Sequence, residues 1–341
     1  MSETRPETHD DDEQEVPSPR RRLAMIVLRV VVVAAIVAAL WYFIRKLDLD
    51  TVGSALASAK IWPLVLAAAI NFVCLFGKAA SWRIMFWPRY SIRLVRLFRY
   101  TIAAFAASAI APARAGEVLR VITLKKRDGV PASSSIAVAF AEKLLCAISL
   151  VALVAPVPWL LPGLPQWVGG AITIAAVVTI GVFIVLWFAV GRVDPTKAKK
   201  SVVRRFVANM HVLRSARRLI GALLVLTFVW LADLGMILLS LYAVGIELPI
   251  AGAMLILFTV NLAILVPSTP AQVGALQLGA LAALDLLYVP HEPALAFAVL
   301  YHLAQIIPII VVGLLLELRL VLGRPPAAEP AKPLEPAVKS G

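Results

Sequence analysis

Ala111-Pro112-Ala113-Arg114-Ala115-Gly116-Glu117 and Pro267-Ser268-Thr269-Pro270-Ala271-Gln272-Val273-Gly274 each interrupt a hydrophobic stretch, 97–111 and 251–266 respectively. Spanning a hydrocarbon core of about 30 Å takes about 20 helical residues, so both stretches are too brief to cross comfortably. Irregular backbone survives at membrane depth only inside protein or beside a water-filled cavity. A pair of such breaks points to a transport pathway built from discontinuous helices.

The surrounding composition fits that setting. Hydrophobic residues make up 61% of the 341 positions, and the mean hydropathy is +0.89, well beyond a soluble domain. The chain therefore reads as an all-α, multi-pass integral membrane protein. Apolar runs at 23–44, 61–82, 136–160, 168–191, 219–244 and 294–317 are long enough to span, which predicts six full crossings. Residues 1–22 form an acidic tail and 321–341 a Pro-rich tail, both expected to be disordered, around a membrane domain at 23–320. The run at 23–44 is too long for a signal-peptide core and carries Arg29, so it is expected to be retained as the first helix.

A net charge of +13 raises nucleic acid as a partner, but the basic residues flank apolar runs instead of forming a separate basic domain. That placement disfavours nucleic acid and reports orientation. Lys78, Arg83, Arg89, Arg93 and Arg96 precede the first short stretch, Arg99 sits at its start, and Arg114, Arg120, Lys125, Lys126 and Arg127 follow it. Both of its sides are therefore predicted to be cytoplasmic, which makes it re-entrant. The loop at 192–218 is equally basic, whereas 155–167 has no Lys or Arg, 245–250 carries only Glu247, and 285–293 carries Asp285 and Glu292. The second short stretch is thus flanked by external segments, and both termini fall in the cytoplasm of a cell bounded by this membrane.

The order span, re-entrant segment, span at 61–160 recurs at 219–317, with the single crossing 168–191 between. One linking crossing inverts the second unit, giving an inverted-topology repeat. Another arrangement stays open: 97–111 lying flat on the surface, with 251–288 an ordinary two-helix hairpin.

Pro112-x-Arg114-x-Gly116-Glu117 followed by Arg120, then Glu142-Lys143 in a long apolar span, then Pro-Ser-Thr-Pro-Ala-Gln-Val-Gly, resembles the lysylphosphatidylglycerol synthase transmembrane, or flippase-like, family over about 24–320. The resemblance implies movement of lipids or lipid-linked molecules between leaflets, in a plasma membrane. Some members carry a cytoplasmic aminoacyl-transferase domain, for which the Pro-rich tail after 317 leaves no match. The second motif usually resembles Pro-Gly-Gly-x-Gly-x-x-Glu; here Gln277 stands in place of the acidic residue.

The residues themselves suggest chemistry. Arg presents a planar donor fork suited to phosphate, so Arg114 and Arg120 beside Pro112, Gly116 and Glu117 could hold an anionic headgroup. The competing reading has these arginines marking the interface and pairing with Glu117. Glu142 lies within an apolar helix, where a charge costs at least about 3 kcal/mol. Lys143 points about 100° away, leaving Lys78 or Arg114 as equal candidates to pair with it. Glu142 either lines a polar cavity or locks the fold as an ion pair. Asp233 needs a partner too, and Asn71, Asn261, His302 and Gln305 add hydrogen-bonding capacity. Pro112, Arg114, Gly116, Glu117, Arg120, Glu142, Asp233 and Asn261, together with Lys143, Pro267, Ser268, Thr269, Pro270, Gly274 and Gln277, make up the candidate pathway, whereas Asn71, His302 and Gln305 read as interhelical glue. Cys74 and Cys146 read as small core residues. Trp41, Tyr42, Trp62, Trp82, Trp87, Trp159 and Trp167 read as interfacial belts.

No phosphate loop, nucleophile elbow or metal-binding helix occurs in the sequence, so neither enzymatic chemistry nor a metal or other cofactor is expected. The leading expectation is a translocator of a phospholipid, glycolipid or lipid-linked precursor, with membrane lipids as partners. The alternative is an intramembrane scaffold for a lipid-modifying or glycosyl-transfer enzyme.

Overall fold

Hydrophobic periodicity is lost wherever a helix is apolar all round, so length decides which segments cross. In a computed structural model, residues 57–110, 115–192, 206, 207, 209, 210, 213, 215–265 and 270–322 are described; the predicted first span, 23–44, and the two tails lie outside them. These residues form helices and no strand. In chain order they are α1 (Ile61–Phe86), α2 (Leu94–Ile110), α3 (Ala115–Asp128), α4 (Ala132–Val154), the short α5 (Val157–Leu160), α6 (Gln166–Arg192), α7 (Ala216–Ala243), α8 (Ile250–Ala263), a 3-10 turn (Pro270–Gln272), α9 (Ala275–Leu286) and α10 (His291–Leu322).

Five segments are long and apolar enough to cross a membrane: Ile61–Phe86, Ala132–Leu160, Gln166–Arg192, Ala216–Ala243 and His291–Gly313. Each overlaps an expected span. At 1.5 Å per residue the 26 residues of α1 reach about 39 Å, whereas the 17 of α2 and 14 of α8 reach only about 25 and 21 Å. Neither short helix can cross alone, and each is followed by a second short arm, α3 or α9.

A glycine closes each of these two helical hairpins. A Cβ at Gly116 in α3 would collide with the Ala104 carbonyl of α2, and one at Gly279 in α9 would fall 2.7 Å from Val260 Cα and 2.8 Å from Thr259 O of α8. Small residues let backbones approach where lipid supplies no hydrophobic drive for helix association. The open end of the first hairpin is clamped by Arg96, whose Nη1 lies 2.7 Å from Oδ1 of buried Asp128.

The main packing partners fall into matched pairs. α1 packs on α2, and α7 on α8; α2 packs on α3, and α8 on α9; α3 packs on α4, and α9 on α10. Likewise α1 meets α4 as α7 meets α10, α4 meets α7 as α10 meets α1, and α2 meets α10 as α8 meets α4. At the centre α1 crosses α7, where a Cβ on Gly77 would come within 2.5 Å of Val229 Cγ2. Cys74 Sγ donates to Val229 O across the same crossing at 3.6 Å, and both Cys74 and Cys146 are buried, free thiols, as expected of core residues. α6 packs on α4 and α5 and buries only Val168, Ile172 and Val190. The tip of the second hairpin, Pro270–Gln272, rests against α2 of the first.

Candidate functional site

Hydrocarbon cannot hydrogen-bond, so each polar side chain at membrane depth must find a partner in the protein, in water or in a ligand. The polar residues here form three groups along the α1–α7–α10 interior and the two hairpins.

The first group joins α1, α3 and α4. Glu142, buried on α4, accepts a short hydrogen bond from the indole N–H of Trp82 at its Oε2, and Arg120 Nη1 stands 3.8 Å from the same oxygen. The Arg120 guanidinium lies over Trp82, its Cζ 3.5 Å from the ring centroid, a cation–π contact strengthened by desolvation. Only 5% of Arg120 is exposed, and its Nε and Nη2 have no hydrogen-bond partner among the described residues.

Lys143, around the α4 helix from Glu142, reaches Glu117 Oε1 at 3.0 Å in a half-exposed pair. The partnering differs from expectation: Glu142 pairs with Arg120 and not with Lys78, Glu117 pairs with Lys143 and not with Arg120, and Arg114 lies outside the described residues. Three residues along α3 separate Glu117 from Arg120, but the helix turns one towards α1 and the other towards solvent. Trp82 is a further correction. It is 2% exposed and serves as the platform for Arg120, whereas Trp62, Trp87, Trp159 and Trp167 are exposed, as belt residues are.

The second group lies in the middle of the bundle. Lys78, one helical turn before Trp82 on α1, is half-buried, with Nζ 5.9 Å from the ring centroids of Phe105 and Trp230. Its ammonium makes no hydrogen bond or ion pair among the described residues. Asp233 on α7 accepts a 3.0 Å hydrogen bond from the Tyr301 hydroxyl of α10, and Asn71 Nδ2 donates to Gln305 O at 2.7 Å. Asp233 thus has the partner that its depth requires. Tyr301 is one that sequence reading missed, because a tyrosine in an apolar span reads as core.

The third group holds the second hairpin tip. Gly274 (φ 89°) precedes α9, and its N–H donates to Gln277 Oε1 at 2.7 Å, a side-chain cap three residues on. Because that bond fixes the amide orientation, Gln277 Nε2 is the donor to His302 Nδ1, at 2.7 Å. His302 Nε2 in turn donates to the Ala271 carbonyl at 2.9 Å. The network thereby assigns a neutral imidazole with its proton on Nε2. A carboxylate at 277 could cap Gly274 equally well but could not donate to Nδ1.

Asn261 joins none of these groups; its amide donates to Leu257 O of its own helix at 2.8 Å. Pro112, Arg114, Pro267, Ser268 and Thr269 lie outside the described residues, and Pro270 opens the 3-10 turn. Among the described residues no three His, Cys, Asp or Glu side chains are grouped so as to hold a metal ion.

No individual curated protein matches the chain. Residues 26–313, most of its length, match the lysylphosphatidylglycerol synthase TM region family, and the chain belongs to that family.

Proposed function

We propose that this membrane protein moves a phospholipid, glycolipid or lipid-linked precursor between leaflets, its headgroup passing along the polar track between the two broken helices while its tails remain in lipid. The observation that carries this reading is the contact of the second hairpin's tip, Pro270–Gln272, with α2 of the first. A second interruption packed against the first hairpin brings polar backbone and side chains into an otherwise apolar bundle, which is where a headgroup most needs them. The buried Arg120, Glu142 and His302, with the half-buried Lys78 and Asp233, support the same reading.

The matched packing supports an inverted repeat of α1–α4 and α7–α10, since the lone crossing of α6 reverses the direction of the second unit. In that arrangement the first hairpin opens towards the cytoplasm, beside Lys125, Lys126 and Arg127, and the second towards the outside. Anionic headgroups would gather at the basic mouth. No chemical step on the lipid is required of the protein.

Reconstitution in liposomes tests the proposal. With a fluorescent anionic phospholipid or a lipid-linked sugar in one leaflet, protein is expected to accelerate exchange to the other. Equal rates in empty and protein-containing vesicles, across a fair panel of lipids, would sink it.

A further inference from the structure

We infer that the unoccupied edge of the Arg120 guanidinium is a binding site for the phosphodiester of a lipid headgroup, with the Lys78 ammonium as its second cation. This rests on the translocator reading and names the part of the substrate that the protein holds.

A guanidinium has two usable edges and two faces. Trp82 covers one face at 3.5 Å, and Nη1 is turned towards Glu142. What remains is the edge carrying Nε–H and Nη2–H, two parallel donors spaced to meet two oxygens of one oxyanion. Both nitrogens are buried and without a partner among the described residues. Buried polar atoms left this way are exceptions in folded proteins, and a charged donor at membrane depth is the costliest kind. An edge so exposed to desolvation, yet held rigid by a stacked ring and a carboxylate, is prepared for a ligand instead of for another side chain.

Lys78 extends the site. Residues 78 and 82 share a face of α1, so Lys78 leaves the helix one turn from Trp82, on the side that carries the platform. Its ammonium too lacks a hydrogen bond or ion pair, and Phe105 and Trp230 rings flank it at 5.9 Å. Glu142 offsets Arg120 at 3.8 Å, and the carboxyl of Asp233, in the same group as Lys78, is held by the Tyr301 hydroxyl, so the phosphodiester is met by directed donors and not by a surplus of charge. Free phosphate shares this oxyanion chemistry, but the apolar helices around the site favour a phosphate joined to acyl chains.

Thermal melting of the full-length protein in a mild detergent separates the sources. Dihexanoylphosphatidylglycerol, kept monomeric, is expected to raise the melting temperature in a saturable way. Dihexanoylglycerol, which has no phosphate, and inorganic phosphate alone are expected to leave it unchanged. Arg120→Lys keeps the charge and loses the fork, so the apparent Kd for the phospholipid should weaken by about tenfold or more. Equal shifts from the glyceride, saturation by inorganic phosphate at the same concentration as lipid, or an unchanged Kd in Arg120→Lys would each overturn the site. Should Arg120→Lys not fold, Lys78→Gln at its half-buried position takes its place; its Kd should weaken by about threefold, and an unchanged value overturns the proposal. Binding is read here without transport. Arg120-dependent binding in a protein that does not exchange lipid would remove the translocator reading and keep the site, and exchange in a protein whose binding ignores Arg120 would do the reverse.

Discussion

Glu142 and Glu117 are neighbours across α3 and α4, each opposite a cation, yet burial sets them apart. Glu142 is 4% exposed and holds Arg120 and Trp82, while the side chains of Glu117 and Lys143 are 44% and 48% exposed. Glu142→Gln preserves an oxygen for the indole N–H but strands a buried guanidinium, at a cost of about 3 to 5 kcal/mol. Glu117→Gln removes a solvated pair and should cost under about 1 kcal/mol. Melting of the two variants in detergent should therefore differ clearly, with Glu142→Gln the less stable. Similar melting temperatures would mean that Glu142 faces water instead of forming a buried pair. The second hairpin tip carries its own local tension. Ala271 and Gln272 have φ of 55° and 61°, in the left-handed region, at the two positions where the family pattern usually has glycines. Side chains there are tolerated because Ala271 offers its carbonyl to His302.

The hairpins are the elements on which the proposed function depends, and each rests on a glycine-to-backbone approach. Gly116→Ala and Gly279→Ala should each force the arms apart and destabilise the protein by about 1 to 3 kcal/mol or more, Gly116→Ala the more severely because its backbone obstacle, the Ala104 carbonyl, lies much closer. Gly170→Ala, where a Cβ meets nothing within 4 Å, is the control and should melt like the wild type. Loss of stability in the control equal to that in the hairpin variants would refute the close-approach argument. The existence of these elements was legible in the sequence because hydrocarbon thickness makes length decisive and Pro and Gly mark where helices stop. Their side-chain partners were not. Helical spacing put Glu117 and Arg120 on a common face, but which neighbour each meets depends on how α3 lies against α1 and α4, and spacing within one helix carries no such information. Trp82 was misread for a related reason: proximity to a span end marks an interfacial ring only if that end faces lipid, and this one faces α3 and α4.

Across the whole molecule, the matched packing and the basic segments imply one orientation. A cysteine replacing Pro162, exposed between α5 and α6, should react with an impermeant thiol reagent applied to intact cells, and one replacing Lys126 at the end of α3 should react only after lysis. Cys74 and Cys146 are buried, so native background labelling should be low. Labelling of Lys126→Cys from outside would reverse the orientation and, with it, the cytoplasmic placement of the basic mouth.

The central crossing of α1 and α7 joins the two units chiefly by surface fit, with Val229 seated against Gly77 beside the Cys74–Val229 hydrogen bond. A fit of this kind predicts that the two units find each other without the polypeptide bond between them. Fragments 1–199 and 200–341, co-expressed from separate messages, are expected to co-purify and to melt in a single transition, as a complemented pair of halves. Gly77→Leu in the first fragment should abolish that complementation by blocking the seat of Val229. Fragments that remain apart even with Gly77 intact would mean that the tether between α6 and α7, and not the fit of the halves, brings the halves together.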